Sequence, residues 1–289
     1  MTDVKQLANL ITVDSDLDRV VIGENSFPEV TKRKLSELTQ WLYSTLHTGN
    51  LDLALQAKED LRTEIESSLQ EKLLPVVGKS VDVQGVHSVS LGGVRIYSEE
   101  SSETVKISPF RPNLSPGFFM YMNSVRAGKF IKNTERYYVY SDNPENAIAL
   151  WGQAIHELEE INIPFTTKIL SSTSRYPRND AMVFYCTAEE SEVIEKILLS
   201  VTRQLQIKYQ KDHISALCKC ISPTVGYAKQ PIFNGREVSF GEDRCEAIAY
   251  AIKDSIRTGL DFQRILKQRL KNRSINPEQL YLNLEGENV

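Results

Sequence analysis

The chain has 289 residues, 41% of them apolar, and a formal charge of −4 at pH 7. That length buries a substantial core in one large domain or two connected lobes. The slight acidity argues against a general nucleic-acid binder, which needs a strongly basic surface, so any anion site must be local.

The opening residues MTDVKQLANLITVDSD have neither a basic segment with an unbroken apolar core nor an Arg-rich transit pattern. No later stretch approaches the roughly 20 apolar residues of a membrane span, so the expectation is a soluble, cytoplasmic protein with no membrane partner. Residues 32–73 read as two helices. Leu35, Leu38, Trp41, Leu42 and Leu46 recur at helical spacing, and after Thr48-Gly49-Asn50 a second run carries Leu53, Leu55, Ala57 and Leu61. Pro75 ends this part, which sets a helical N-terminal lobe at 1–75 and an α+β lobe at 76–289. The runs SVDVQGVHSV, GVRIYS and TVKIS, separated by Gly or charged turns, then read as antiparallel strands. Three prolines strip donors from PFRPNLSPG, which suits a lobe junction or the rim of a site.

From Phe118 the predicted order is strand (FFMYMNS), strand (RYYVY), helix (144–160), strand (PFTTKIL), strand (AMVFYC) and helix (189–210). Asn143 caps the first helix with Pro144 at its first position, and Ala147, Ile148, Trp151, Ile155 and Leu158 supply its buried stripe. Val193, Ile194, Ile197, Leu198 and Val201 do the same for the second. The fold class is therefore α+β: a helical N-terminal lobe plus a mixed or antiparallel sheet holding a ferredoxin-like β-α-β-β-α unit. Helices would cover one face of this sheet and leave the other open for a site. A further helix spans 245–258, and the polar tail after Asn276 is expected to be loose.

Four cysteines and four scattered histidines show neither a disulfide framework nor the spacing of a metal site, and His47 and His156 read as helix residues without partners. Chemistry concentrates instead between Arg136 and Cys186. Alternation along RYYVY puts Arg136, Tyr138 and Tyr140 on one face; along PFTTKIL it groups Thr166, Lys168 and Leu170. A lysine in a central strand is flanked by apolar surface, which favours its neutral form and suits it to act as a base; snorkelling at a sheet edge is the competing reading. SRYPRNDAMVFY adds Arg175 and Arg178, whose planar forks suit phosphate, with Asp180 able to orient one of them. A solvated Arg–Asp turn is the commoner fate of such residues. Tyr185, alternating with Ala181 and Val183, reads more readily as a core tyrosine with a satisfied hydroxyl than as a catalytic acid. Arg126, Lys129 and Lys132 form a basic hairpin rim, and Lys229 and Arg244 flank a Gly-containing loop.

Taken in order, SPGFF, RYYVY, PFTTKIL, RYPRNDAMVFY, SPTVGYAKQP and SFGEDRC resemble the HopA-type bacterial type III effector family over residues 115–252. That family's stand-alone relatives in class V lanthipeptide and thioamitide pathways act as lyases on phosphoserine and phosphothreonine. The resemblance implies the same reaction on a phosphorylated precursor peptide, with no metal or organic cofactor. Carried over, it makes Lys168 the base, Tyr138 or Tyr185 the acid, and Arg136, Arg178, Arg244 and Lys229 the phosphate ligands. Lys229 stands where relatives commonly have an acidic residue, and Asp243 where many have histidine. No kinase signature such as HRD or DFG occurs, so a separate kinase would be a partner. The alternative is a non-catalytic effector-type module that binds phosphopeptides or proteins through the same arginines. A third reading, phosphate contacts to nucleic acid along the 126–136 rim, ranks below both.

Overall fold

The computed structural model describes residues 3–51, 59–69, 74–77, 79–91, 94–97, 104–123, 134–205 and 213–284. Helix α1 (Val4–Leu10) leads into an antiparallel meander of β1 (Ile11–Asp14), β2 (Arg19–Ile22) and β3 (Asn25–Pro28). Helix α2 (Leu35–Leu42) continues without a break into a π-helical turn, Tyr43–Thr48, which Gly49 ends at φ 69°. The second predicted helical run falls partly on residues outside those described; beyond it lies α3 (Arg62–Leu69). The meander adds strands to a region read as helical. Its period-two runs are only four residues long, so helical periodicity downstream dominated the sequence pattern.

Among the described residues from 74 to 107 the regular elements are all strands, as predicted. β4 (Leu74–Val77) pairs with β8 (Thr104–Ile107), and between them β5 (Lys79–Val83), β6 (Val86–Leu91) and β7 (Val94–Tyr97) make a separate three-stranded antiparallel sheet. The remaining strands are β9 (Phe110–Ser115), β10 (Phe118–Met122), β11 (Glu135–Ser141), β12 (Thr166–Leu170), β13 (Arg178–Cys186), β14 (Lys219–Ser222) and β15 (Val225–Lys229). They form one antiparallel sheet in the order β14-β15-β11-β13-β12-β10-β9. Pro112 lies on the edge strand β9, the position that its missing donor permits.

Within this sheet β11, helix α4 (Pro144–Glu160) and β12 make a split β-α-β unit: β13 lies between β11 and β12 and is antiparallel to both. Helix α5 (Ser191–Gln204) then returns the chain toward β14 and β15. The Asn143 side chain caps α4 by accepting from Asn146 N at 2.8 Å, and Pro144 takes the first position. Trp151, Leu158, Ile194, Leu198, Phe184 and Ile169 are fully buried in the core between these helices and the sheet. Val193 is the exception to the predicted α5 stripe, being exposed.

The opposite face is roofed rather than open. After the short hairpin β16 (Ile232–Phe233) and β17 (Arg236–Glu237), helix α6 (Phe240–Thr258) packs with α2 and the π-helical turn over Tyr138, Val183 and Ala228. Those sheet residues are apolar enough that exposing them would forfeit roughly 25 cal/mol per Å². Helix α7 (Phe262–Asn272) and the α1 side of the molecule share this second core, so the N-terminal and C-terminal segments stabilise each other.

The described part of the tail after Asn276, residues 277–284, is held rather than loose. Arg244 is fully buried in α6 and donates from Nε to Leu280 O (3.2 Å) and from Nη2 to Leu282 O (3.3 Å) and Asn283 Oδ1 (2.9 Å). Asp243, also buried, pairs with Arg244 Nη1 and Arg273 Nε, both at 2.8 Å. Removing one member of such a buried network strands the others' charge. Asp243→Ala is accordingly expected to destabilise the protein by about 3–5 kcal/mol in urea unfolding, whereas Lys229→Ala is expected to shift it by less than about 1 kcal/mol.

Candidate functional site

Side chains directly opposite each other across antiparallel strands share a face. Register sets Thr166 against Tyr185 and Tyr185 against Arg136 in one transverse row. In the next row Lys168 faces Val183, which faces Tyr138. Four of the predicted residues, Arg136, Tyr138, Lys168 and Tyr185, therefore lie on adjoining strands of one face, beneath the roof of α6 and the π-helical turn.

Arg136 donates from Nε to Gln230 Oε1 at 2.7 Å and from Nη1 to the Tyr138 hydroxyl at 3.3 Å, and its guanidinium lies 5.3 Å from the Tyr185 ring centroid. Nη2 bonds to the same Gln230 oxygen and to Val238 O. All these partners are neutral. Lys168 Nζ sits 4.0 Å from the centroid of the Phe118 ring and makes no ion pair among the described residues. Burial pushes the Tyr138 phenol well above its usual range, partly offset by Arg136, so it stays protonated across the working pH.

Arg178 occupies a different environment. Its Nε and Nη2 meet both oxygens of Asp180 at 2.8 Å, and the pair is 4% exposed on each side. Burial alone would raise the Asp180 carboxyl, but the charge and hydrogen bonds of Arg178 hold it below its ordinary value. An irregular register between Val139 and Ser141 of β11 sets Ser141 against Arg178, and bulges of this kind re-aim side chains beside sites. The solvated turn is thus ruled out, and Arg178 has two of its donor positions committed to a carboxylate. Arg175 lies across the backbone of Gly117, where a Cβ would stand 2.5 Å from its Cζ.

Two predicted phosphate ligands do not join the group. Lys229 faces Glu135 in register, so the pleat sends it to the α4–α5 side, opposite Arg136. Arg244 is locked between Asp243 and three acceptors of the tail, with no exposed surface. Of the rim, Arg126, Lys129 and Lys132 lie outside the described residues.

The structure adds His47, which sequence spacing gave no reason to place here. It is buried with Nδ1 2.9 Å from Ser215 Oγ, edge-on to Tyr138 at 5.0 Å and beside Tyr43 at 5.1 Å. Tyr43 and His47 press on Gly241 of α6; a Cβ there would come within 2.5 Å of His47 Cδ2 and 2.6 Å of Tyr43 Cε2. Gln230 and the unpartnered hydroxyl of Thr166 were also missed as site residues. The partners 168 residues apart that hold His47 leave no local signal. Among the described residues no group of three or more His, Cys, Asp and Glu could hold a metal ion, and no helix is long and apolar enough to cross a membrane.

A family model, described as the HopA1 effector protein family, matches residues 110–282, more than half of the chain. The chain belongs to the HopA1 effector protein family. Solved structures of effector proteins from Pseudomonas syringae pv. tomato strain DC3000 and pv. syringae strain 61 are similar to it. The first is 21% identical, with a TM-score of 0.44, over 60% of this chain and 66% of that one. The second is 16% identical, with a TM-score of 0.43, over 57% and 62%. The matched portion therefore spans just under two thirds of those effectors. A comparison with curated proteins finds no match. The family match begins with β9 and takes in the whole seven-stranded sheet and α6, while the π-helical turn that completes the roof lies outside it.

Burial drives the His47 imidazole down to about 4, opposed by Asp180 and reinforced by Arg178, Arg136 and Lys168. In the unfolded chain it titrates near 6.5, so between about 6.5 and 4 the unfolded state binds the extra proton. Stability should fall as pH drops through that window, by roughly 3 kcal/mol in full. Urea unfolding at pH 7 and pH 4.5 checks this: His47→Gln should lose most of the wild-type difference.

Proposed function

We propose that this family member is a phosphoserine/phosphothreonine lyase acting in the cytoplasm on a peptide that a separate kinase has phosphorylated. The observation supporting this most is that Arg136 and Lys168 share one sheet face and neither has a carboxylate partner among the described residues. Sequestering cations without a counter-ion is costly, and an anionic substrate supplies what the protein omits. Arg178 and Arg244, by contrast, carry their own carboxylates.

In the proposed reaction Lys168, as the free amine, takes the α-proton. The electrons of that C–H bond form the Cα–Cβ double bond, the Cβ–O bond breaks, and phosphate departs with both electrons. Arg136 neutralises the charge growing on the phosphate, and its bond from Nη1 positions the Tyr138 hydroxyl. Tyr138, protonated throughout, or Tyr185, whose ring lies against Arg136, delivers a proton to the leaving oxygen. Arg178 flanks the same Phe118 ring as Lys168, 5.7 Å from its centroid, and its pairing with Asp180 neutralises the carboxylate on that side. The residues need no cofactor for these steps.

Mass spectrometry of a phosphothreonine peptide incubated with the protein tests the reading. Elimination removes ~98 Da, the mass of phosphoric acid, and Lys168→Ala should cut the rate by at least about 10²-fold, the low end of what a positioned base contributes, with the fold intact. An unchanged rate in that variant removes Lys168 as base. Saturable binding with no mass change in the wild type would identify a phosphopeptide-binding module instead.

A further inference from the structure

Thr166 opens β12 on the site face, is 5% exposed, and its Oγ1 is buried with no hydrogen-bond partner among the described residues. Its neighbour Thr167, on the other face, shows the usual arrangement: Oγ1 donates to Val183 O and accepts from Trp151 Nε1, both at 2.9 Å. Proteins rarely leave a buried hydroxyl unmatched, because dehydrating it without a replacement bond is unfavourable. The unmatched hydroxyl here sits in the transverse row that continues through Tyr185 to Arg136. Among the described residues the Tyr185 hydroxyl also makes no hydrogen bond, and Arg136 Nη1 uses one of its two hydrogens on Tyr138.

We propose that the row Thr166, Tyr185, Arg136 is the seat of a tetrahedral phosphate dianion, with Thr166 Oγ1 donating to one of its oxygens. The dianion only accepts, and the row offers three kinds of donor: a hydroxyl, a phenol and a guanidinium. This deepens the lyase reading and rests on it for orientation. Lys168 and Tyr138 occupy the next row, roughly 7 Å along the strands. With phosphorus over the first row, the α-carbon projects along the sheet toward Lys168, and the bridging oxygen lies between the rows within reach of the phenols.

The isosteric Thr166→Val removes the hydroxyl while keeping the volume. Binding of inorganic phosphate is measured by calorimetry against chloride at matched ionic strength, alongside ligand-free melting and turnover of the phosphothreonine peptide. The expected result is a Thr166→Val protein that melts no lower than wild type without ligand, binds phosphate about tenfold more weakly, and is rescued by Thr166→Ser. Unchanged phosphate affinity, or a lower ligand-free melting temperature showing that the hydroxyl has a partner inside the fold, overturns the seat. Phosphate affinities in the expected order without elimination by the wild type uphold the seat and sink the lyase reading. Elimination at equal rate and affinity in wild type and Thr166→Val does the reverse.

Discussion

The pleat of the seven-stranded sheet governs the chemistry open to this protein. Across β12, β13 and β11 the register is unbroken from Thr166 to Ile169, so directly opposite residues form transverse rows and residues two apart on a strand fall into successive rows of one face. One face is a continuous apolar surface that α4 and α5 bury. The other alternates apolar floor, Val183 and Ala228, with the cations and phenols of the site. A slip of one residue in β12 would send Lys168 into the α4 core and Thr167 into the site.

Three arginines that look alike in sequence are divided by their counter-ions. Arg178 is neutralised by Asp180 on a bulged stretch of β13, and Arg244 by Asp243 beneath the tail. Each pair has its charge compensated and its geometry set by hydrogen bonds, the condition for keeping ions out of water. Arg136 is held as firmly, but by a carboxamide, a phenol and a carbonyl, so its orientation is determined by neutral groups and no carboxylate among the described residues bonds to it. That separation of positioning from neutralisation is what preorganised electrostatic stabilisation requires.

The roof explains why a long N-terminal region accompanies the sheet. The π-helical turn places Tyr43 and His47 on the same side, four residues apart, and Gly241 lets α6 approach them with no Cβ between. The resulting enclosure keeps His47 neutral and excludes water from the Tyr138 side of the site. Residues from α1, α2, α6 and α7 meet in that one core, so the site's cover is built from both ends of the chain.

Local periodicity alone determined the split β-α-β unit, the caps and stripe of α4, and the face shared by Arg136 and Tyr138, because pleat and helical repeat are written within ten or so neighbouring residues. The same was true of the grouping of Thr166 with Lys168. Which cations remain unpaired was legible only in three dimensions. Asp180 and Asp243 stand within two residues of their arginines, yet nothing in the string says that these pairs are dry. The side taken by Lys229 depended on pairing β15 with β11, and the ordering of the tail on a guanidinium 36 residues away. Burial and strand partnership are properties of distant contacts, and it is those contacts that sorted a list of basic and phenolic residues into one shared face and two buried ion pairs.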